Sequence, residues 1–586
     1  MTIKKKPVDV VVIGMGWTGS IVAKELLDEG LSIVGLERGP LRTQSKNFDT
    51  SRLYDELTYS IRNRLGMDLS RETITFRNNI NQNALPMRTF GSFNPSSGTG
   101  GSGVTWSGHT FRKLPTDFRH RSHIVERYGE NFIPNEMTIQ DWGVTYEELE
   151  PFYDRFEYVA GVSGRAGNLK GKRQPGGNPF EGVRSREYPN PPFSRTHAGN
   201  LFARATQKFG YSPFPVPVAN SSQTYTNPYG IKLQECRVCG HCPAYGCTYS
   251  AKASALTTIL PAILPNSNFE LRNNSYVTRI NLDSRGEKAT GVTYIDAAGR
   301  EIEQPAEMVC LAAYTFNNVR LMLLSGVGEP YNPQTGRGVV GRNYSYQRMA
   351  NIIGFFKNQN FNPYVAGGGM ATVIDDFNGD NFDHSSLDFI GGGFIGSFLL
   401  GGMPISNHPT PPDVPMWGSK WKKAMVESYQ SSTALNVHAA CQSYRGNYLD
   451  LDPTYKDAWG LPLLRMTFDY GKNEHKMSDY LTDRAVEIMR EMGAKQLLEI
   501  RNLGSYDITK YQTTHNVGGA IMGTDPKTSA VNRYLQSWDI PNLFVFGGSA
   551  FPQNSGYNPT GTIGALTYWS VDAIKKRYLR NSGSLV

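Results

Sequence analysis

The stretch that decides the fold lies near the N-terminus, where residues 8–39 read VDVVVIGMGWTGSIVAKELLDEGLSIVGLERG. Apart from Asp9, residues 8–13 are all apolar, which is typical of a central parallel strand buried on both faces. Apolar residues then recur with helical spacing, and residues 31–36, LSIVGL, form a second mainly apolar stretch that ends at Glu37. The stretch therefore predicts a strand, a turn, a helix and a second strand.

The predicted turn carries a G-x-G-x-x-G pattern formed by Gly14, Gly16 and Gly19, with Thr18 inside it. The first glycine allows the tight turn, the second lets a pyrophosphate approach the backbone, and the third lets the helix pack on the strand. The helix N-terminus presents free N–H groups to phosphates. Glu37 lies where a carboxylate accepts ribose hydroxyls and disfavours a 2′-phosphate. The pattern predicts a Rossmann-like lobe that binds a dinucleotide other than NADP, although by itself it does not separate FAD from NAD.

A second glycine-rich stretch begins at residue 98, with Gly98, Gly100 and Gly101 close together. Glycines at this density let the backbone approach a planar ligand closely. The alternative is a flexible loop, but Trp106 and Phe111 flank the stretch and favour a packed one.

The C-terminal stretch FVFGGSAFPQNSGYNPTGT, residues 544–562, predicts a strand, a glycine turn, a polar loop and a helix. Gly548 and Ser549 lie in the turn, and the helix is expected to begin near Pro559 and Thr560. Such a helix start can point N–H donors at an anion or an electron-rich ring.

Four of the six cysteines fall in residues 236–247, CRVCGHCPAYGC, at Cys236, Cys239, Cys242 and Cys247. Disulfides between such close neighbours would close tiny loops that constrain little. A zinc site typically uses two C-x-x-C pairs that are well separated in sequence. Bacterial ferredoxins, in contrast, bind iron–sulfur clusters with a compact C-x2-C-x2-C run. The spacing favours an iron–sulfur cluster, with zinc and a redox dithiol as open alternatives.

The composition limits the classes of function. The chain has 586 residues, 39% of them hydrophobic, which is enough for more than one lobe. The net charge of +8 is spread along the chain without pairing of aromatic and basic clusters, so no nucleic-acid role is expected. No apolar run reaches the roughly 18 residues of a membrane span. The N-terminus is interpreted as a strand and not as a leader peptide, so neither an export signal nor an anchor is expected in this chain.

Two internal regions suggest sheets and a cavity. Residues 269–312 alternate apolar and polar positions between turn signals, which predicts an antiparallel meander followed by a buried strand. Residues 346–420 are rich in Gly, Pro, Phe and Asn, which predicts long loops that wall a substrate cavity.

Together these features resemble the glucose–methanol–choline (GMC) oxidoreductase family. The resemblance rests on the first glycine pattern with Glu37, the stretch at 98–101, VVGRN at 339–343, and the H…GG…MG and NPTGT…AL segments near the C-terminus. It covers most of the chain. The cysteine run narrows it to bacterial membrane-bound dehydrogenases of sugars and sugar acids.

The resemblance implies FAD as the cofactor and a mixed α/β fold, with a Rossmann-like FAD-binding lobe and an antiparallel-sheet substrate lobe. The FAD-binding lobe is expected to comprise residues 1–55, 85–115, 195–345 and 505–586, including the cysteine run, and the substrate-binding lobe residues 56–84, 116–194 and 346–504.

The resemblance also implies the catalytic residues. It maps a histidine and an asparagine before the flavin ring onto His515 and Asn558, and a backbone contact with the adenine onto Val277. A neutral histidine accepts the alcohol proton, and an asparagine donates a hydrogen bond to the developing alkoxide. His109 and His438 are expected to be structural.

The implied reaction is oxidation of the C2 secondary alcohol of D-gluconate to 2-dehydro-D-gluconate. The alternatives are the same chemistry on another sugar, polyol or keto-sugar acid, a non-catalytic electron carrier, and an oxidase with a zinc knuckle. The carboxylate of a sugar acid is expected to need a cation or a cluster of N–H groups in the cavity.

For the cysteine run, the related dehydrogenases imply a [3Fe-4S] cluster held by three cysteines, with Cys236, Cys242 and Cys247 as the expected trio. The spacing here differs and offers a fourth thiol, Cys239, so a [4Fe-4S] cluster stays open. The implied partners are a small subunit that carries the export signal and a membrane-anchored multihaem cytochrome c subunit, which implies a periplasmic location on the inner membrane.

Overall fold

The computed structural model describes residues 2–43, 47–48, 65–89, 91–93, 95–405 and 407–586. Residues 49–64, within which the prediction places a boundary between the lobes, lie outside the described residues. The described chain forms two large sheets, a smaller four-stranded sheet and two strand pairs, with helices packed around them.

The first large sheet, which we call the nucleotide sheet, is built on the N-terminal stretch. Its strands run in the order Phe269–Arg272, Ile33–Leu36, Val8–Ile13, Glu301–Leu311, Ala289–Ile295 and Tyr276–Leu282, and both Ile3–Lys4 and Leu543–Val545 also pair with Glu301–Leu311. The strands around Val8–Ile13 are parallel, whereas the last three strands form an antiparallel meander. The predicted strand–turn–helix–strand unit and the predicted meander are therefore confirmed.

The second large sheet, which we call the cavity sheet, is antiparallel throughout. Its order is Gln496–Ile500, Arg348–Phe355, Ser432–Ala439, Gly393–Phe398, Ala371–Ile374 and Phe214–Pro215. The edge strand Phe214–Pro215 comes from a segment that the prediction assigns to the other lobe, and the lobe boundaries stay a prediction. The predicted fold class, an α/β fold with a parallel nucleotide-type sheet and an antiparallel second sheet, is confirmed.

The smaller sheet and the strand pairs lie outside these two layers. The four-stranded sheet runs Tyr448–Lys456, Pro462–Thr467, Ile74–Arg77 and Leu85–Pro86, and the pairs are Tyr225–Thr226 with Lys232–Leu233 and Asn168–Leu169 with Lys172–Arg173.

The α-helices of the described chain vary from one turn to more than five. They span Trp17–Leu27, Pro115–Phe118, His120–Tyr128, Tyr146–Ala160, His197–Lys208, Ala255–Thr258, Leu260–Ile263, Thr315–Ser325, Gly418–Tyr429, Lys472–Glu491 and Thr560–Ala573. None of these helices combines the length and the apolar character that crossing a membrane would require.

Close helix packing brings two helix N-termini to one place. The helix Thr560–Ala573 packs against both Tyr146–Ala160 and Trp17–Leu27. A Cβ atom at Gly564 would lie 2.2 Å from the ring of Phe156, so glycine is what permits this close approach. As a result, the first turns of the helices that begin after Gly16 and Pro559 both lie on the wall of one cavity.

Candidate active site

A cavity of about 880 Å³ lies between the nucleotide sheet and the cavity sheet. Its volume is within the range of cofactor and ligand pockets. Its wall includes most of the residues that the sequence predicts for cofactor binding and catalysis: Gly14, Gly16, Thr18, Glu37, Gly101, Val277, His515, Gly548, Asn558, Pro559 and Thr560. The fold thus brings together residues that are more than 500 positions apart in the chain.

Four other predicted cofactor-binding residues shape the wall without lining it. A Cβ atom at Gly19 would lie 1.9 Å from a backbone oxygen of the preceding turn, so this glycine lets the helix pack on the strand. Gly98 and Gly100 adopt φ values of 118° and 90°, and a Cβ atom at either position would clash with neighbouring protein atoms. Ser549 is buried, and its hydroxyl accepts a hydrogen bond from Asn318 Nδ2 at 2.9 Å. For these four residues, the structure shows a role in backbone shape and packing, as expected for Gly19, and their assignment to cofactor binding stays a prediction.

Glu37 joins the segments that form the nucleotide end of the cavity. Its Oε1 accepts hydrogen bonds from the backbone N–H groups of Gly39 at 2.9 Å and Gly98 at 3.3 Å, and its Oε2 accepts one from Met15 at 3.1 Å. The carboxylate therefore holds the first turn and the second glycine-rich stretch together. The contact of Glu37 with the ribose hydroxyls stays a prediction. Its hydrogen bonds to the backbone of two loops are a structural role that the spacing of Glu37 from the glycine pattern does not predict.

The nucleotide end has the features that FAD requires. A Cβ atom at Gly16 would have only Gly101 Cα within 4 Å, so the backbone there is open to a ligand. Neither the helix that follows Gly16 nor the helix that follows Pro559 has a side-chain cap on its first N–H groups. Free N–H groups at a helix N-terminus bind phosphate and other electron-rich groups. The first helix would hold the pyrophosphate, and the second would face the flavin ring.

His515 lies on the cavity wall next to Asn558, in the part of the cavity that we call the catalytic end, and Gln347 determines its tautomer. Gln347 Nε2 donates to Gly556 O at 2.8 Å, which leaves Gln347 Oε1 as an acceptor. His515 Nδ1 is 2.5 Å from that oxygen, so Nδ1 carries the proton and donates it. His515 Nε2 is therefore unprotonated and carries a lone pair that can accept a proton, which is the requirement for a general base.

Asn558 completes the catalytic pair. Its Nδ2 donates to His515 Nε2 at 3.1 Å, so the amide and the base converge on one point. Asn558 Oδ1 is buried and has no hydrogen-bond partner among the described residues. An unsatisfied buried acceptor is costly, which suggests that this amide faces a ligand when the cavity is filled.

The surroundings keep His515 neutral. Burial, with smaller contributions from His109 and the ammonium group of Lys113, lowers the pKa of His515 to about 3. Burial likewise lowers the pKa of His109 to about 4 and the pKa of His438 well below its usual value. A neutral His515 can accept a proton throughout the physiological pH range.

The two histidines that the sequence analysis expects to be structural both lie on the cavity wall. His109 Nε2 donates to Gly368 O at 2.9 Å, and His438 Nδ1 lies 3.4 Å from Gln347 Oε1 while its ring stacks on Phe394. Both histidines line the cavity with His515. Neither lies in a recognisable motif: strand pairing brings His438 to the site, and His109 forms an isolated bridge with Val218.

The expected cation for a substrate carboxylate is not found among the described wall residues beside His515, because the nearby ammonium group of Lys113 does not line the cavity. Among the described residues that line the cavity, the Lys and Arg side chains are Arg38 and Arg320. Arg38 pairs with Glu72 at 2.8 Å, and Arg320 pairs with Asp457 at 2.7 Å. Arg38 follows Glu37 in the chain and Arg320 contacts Tyr276, so both belong to the nucleotide end. The catalytic end is lined by amides, histidines and apolar groups.

The four cysteines of the run line one small cavity. Asn220 Nδ2 donates to Cys242 Sγ at 3.4 Å, and the backbone N–H of Lys252 donates to Cys247 Sγ at 3.4 Å. Val238 and Ala244 adopt left-handed φ values of 44° and 67°, which non-glycine residues rarely do. The surrounding structure therefore imposes the shape of this loop.

The thiols do not have the spacing of a single-ion site. Nowhere in the described chain are three His, Cys, Asp or Glu side chains close enough to hold one metal ion. Tetrahedral zinc with Zn–S bonds of about 2.3 Å would draw all its sulfur ligands together around one point. Which metal or cluster the run holds stays a prediction.

Lys252 joins the cysteine loop to the large cavity. Its buried ammonium group donates to the backbone oxygens of Trp106, Cys242 and Tyr245 at 2.7, 2.7 and 2.8 Å. Trp106 and Tyr245 line the large cavity, whereas Cys242 lines the small one. The same loop therefore forms the wall between the two cavities, and a buried positive charge lies beside the thiols.

Comparisons with known proteins agree with this arrangement. Family models described as GMC oxidoreductase match residues 219–348 and 443–567. The chain is 50% identical to the gluconate 2-dehydrogenase flavoprotein of Pantoea cypripedii over 99% of this chain and 95% of that protein. It is 27% identical to the fructose dehydrogenase large subunit of Gluconobacter japonicus, with 97% of each chain covered. A crystal structure of pyridoxine 4-oxidase from Mesorbium loti shares the fold, with a TM-score of 0.59 at 15% identity over 98% of this chain and all of that chain.

Proposed function

This chain belongs to the GMC oxidoreductase family and is an FAD-dependent oxidoreductase, and on that premise we propose that it oxidises the C2 alcohol of D-gluconate to 2-dehydro-D-gluconate. The observation that carries the proposal is the convergence of His515 Nε2 and Asn558 Nδ2, 3.1 Å apart, at the catalytic end of the cavity. The 50% identity to a gluconate 2-dehydrogenase flavoprotein supports the choice of substrate.

The residues of this chain supply the base that removes the proton from the C2 hydroxyl group. FAD, when bound, supplies the acceptor for the hydride that leaves C2. His515 accepts the hydroxyl proton at Nε2, and the resulting positive charge is stabilised because Gln347 Oε1 accepts a hydrogen bond from Nδ1–H. Asn558 Nδ2 donates a hydrogen bond to the substrate oxygen while it carries negative charge. Wall residues that are themselves buried, such as Asn558, limit the access of water to this point.

Anaerobic mixing of the purified FAD-loaded protein with D-gluconate tests the proposal. We expect the absorption of oxidised flavin to disappear and 2-dehydro-D-gluconate to form in equal amount. The same assay with 2-ketogluconate, sorbitol and fructose tests the alternative substrates, since one relative is a fructose dehydrogenase. Faster flavin reduction by one of these than by gluconate would contradict the proposed substrate.

The cysteine run supports a second part of the proposal, an iron–sulfur cluster that passes electrons out of the cavity one at a time. We propose a [3Fe-4S] cluster held by Cys236, Cys242 and Cys247, with a [4Fe-4S] cluster that adds Cys239 as the alternative. The support comes from the four thiols around one small cavity, the loop shared with the large cavity, and the buried ammonium group of Lys252, which offsets the charge of thiolate ligands.

Iron and zinc analysis, together with electron paramagnetic resonance before and after gluconate addition, tests the cluster. We expect iron, a cluster signal that changes on reduction, and loss of both in Cys242→Ser. The matched control is Cys310→Ser, because Cys310 is buried in the nucleotide sheet away from the run. Zinc without iron would favour an oxidase with a structural zinc knuckle. Full electron-carrier function in His515→Ala would favour a non-catalytic carrier.

The proposal extends to partner subunits. We propose that a small subunit with an export signal and a multihaem cytochrome c subunit accompany this chain, which places it in the periplasm on the inner membrane. A relative is described as a large subunit, which supports a multisubunit enzyme. Co-purification from the native membrane fraction tests this, and recovery of the chain alone from the cytoplasm would contradict it.

A further inference from the structure

Two amides on adjacent strands of the cavity sheet form a pair at the catalytic end of the cavity. Asn351 and Asn436 are directly opposed in the antiparallel pairing of Arg348–Phe355 with Ser432–Ala439. Asn436 Nδ2 donates a hydrogen bond to Asn351 Oδ1, so each amide fixes the orientation of the other. Both side chains are half-buried and line the cavity.

This pairing leaves one donor and one acceptor side by side. In the described chain, the Asn351 NH2 group and Asn436 Oδ1 make no other hydrogen bond. A carboxamide has one acceptor oxygen and one donor nitrogen, and this pair uses only one of each internally. A ligand in the cavity therefore faces a donor with a fixed orientation, the Asn351 NH2 group, next to an acceptor with a fixed orientation, Asn436 Oδ1. Two adjacent hydroxyl groups match such a pair, because each hydroxyl can donate or accept.

The amide pair lies about two strand residues away from the pair of residues next to His515. The next opposed residues on the same sheet face are Met349 and His438, and both line the cavity. His438 Nδ1 is 3.4 Å from Gln347 Oε1, the oxygen that holds His515. Two residues along a strand span about 7 Å. The amide pair therefore lies several carbon atoms away from a substrate carbon that reacts beside His515.

Resting on the proposed function, we infer that the Asn351–Asn436 pair binds two adjacent hydroxyl groups on the distal part of the sugar-acid chain, with Asn351 as donor and Asn436 as acceptor. The absence of a described Lys or Arg side chain at this end of the cavity agrees with selection by hydroxyl pattern. A site built to hydrogen-bond a hydroxyl discriminates strongly against an analogue that lacks it, because its own polar groups are left unpaired.

The experiment compares D-gluconate with its 4-deoxy, 5-deoxy and 6-deoxy analogues in wild type and two variants. Asn351→Leu removes the donor and the internal bond, and Asn351→Asp keeps the oxygen that accepts from Asn436 but removes the donor. We expect wild type to prefer gluconate over at least one deoxy analogue by about tenfold or more in kcat/KM. In both variants that preference should fall to less than about twofold, with the loss arising in KM.

Thr433→Val is the matched control. Thr433 lies on the same strand as Asn436 but on the opposite face, and its buried hydroxyl has no hydrogen-bond partner in the described chain. This variant should keep the wild-type preference. As a readout independent of turnover, gluconate binding is measured in the His515→Ala background from the perturbation of flavin absorption, and adding Asn351→Leu should weaken it about tenfold or more.

The outcomes separate this inference from the proposed function. If wild type oxidises gluconate and the variants keep the full preference against every deoxy analogue, the inference is wrong and the proposed function stands. If wild type fails to oxidise gluconate, the proposed function is wrong and the inference falls with it. Unchanged gluconate affinity in the His515→Ala, Asn351→Leu double variant would also overturn the inference.

Discussion

Replacement of Gln347 tests the proton-accepting geometry in most detail. Gln347 is fully buried, and its side chain joins Gly556 O to His515 Nδ1 at 2.8 and 2.5 Å. Gln347→Met keeps the length of the side chain but leaves the Nδ1–H donor of His515 without its acceptor. An unsatisfied buried donor costs about 1–3 kcal/mol. Because about 1.4 kcal/mol corresponds to a factor of ten in rate, we expect kcat/KM to fall roughly 5- to 150-fold.

The expected loss of activity arises because the variant changes the preferred tautomer of His515. Without the acceptor at Nδ1, His515 gains by placing its proton on Nε2, where it can hydrogen-bond other groups, and Nε2 then cannot act as the base. Stopped-flow measurement of flavin reduction by gluconate isolates the chemical step from later electron transfer. A rate within about twofold of wild type would refute the assignment of the Nδ1–H tautomer to Gln347.

The Gln347→Glu variant adds a test by pH. A carboxylate beside Nδ1 raises the pKa of His515 from its low wild-type value of about 3, because it stabilises the protonated ring. Activity needs the neutral ring, so it should be lost as pH falls through the raised pKa. Wild type should show no such loss above about pH 5. Gln304→Met is the control, since Gln304 is also buried and bonded to backbone oxygens, but in the nucleotide sheet. It should lower stability without moving the pH profile.

Three further predictions concern the base, the cofactor and stability. His515→Ala should lower the rate of flavin reduction by about 10²- to 10⁴-fold while the protein keeps its FAD, and loss of FAD together with activity would contradict a purely catalytic role. Glu37→Ala leaves three backbone N–H groups without their acceptor, so FAD should dissociate at lower temperature than in wild type; an unchanged release temperature, read from flavin fluorescence, would show that this carboxylate does not hold the cofactor end together. Burial raises the pKa of Asp375 to about 7, so the protonated form stabilises the folded state and this contribution is lost as pH rises from about 4 to about 7. Asp375→Asn should reduce the fall in the free energy of unfolding over that interval, and an identical pH dependence in denaturant titrations would contradict the shifted pKa.

The nucleotide end was largely predictable from sequence because its signals are local. The turn at Gly14 and the helix that follows it lie within one short stretch, so spacing alone predicts them. Glu37 shows the limit of this reasoning. Its position predicted a ribose contact, but its hydrogen bonds to Met15, Gly39 and Gly98 depend on how two distant loops meet.

The catalytic end was predictable only in part. His515 and Asn558 follow from the resemblance to a family, whereas Gln347 and His438 carry no motif. Strand register brings His438 to the site, since Met349 opposes His438 in the same pairing that opposes Asn351 to Asn436, and Gln347 directly precedes the first of these strands. A shift of one residue in that pairing would turn these side chains to the other face of the sheet. Register of this kind depends on the packing of the whole sheet and cannot be read from any one stretch.

The most direct test of the account is an anaerobic titration of the FAD-loaded protein with D-gluconate, in wild type and in His515→Ala. We predict that stoichiometric gluconate reduces the flavin in wild type within the mixing and scanning time and forms 2-dehydro-D-gluconate, whereas the flavin of His515→Ala stays oxidised over the same period. A flavin that stays oxidised in wild type, or one that is reduced equally fast in both proteins, would contradict the account.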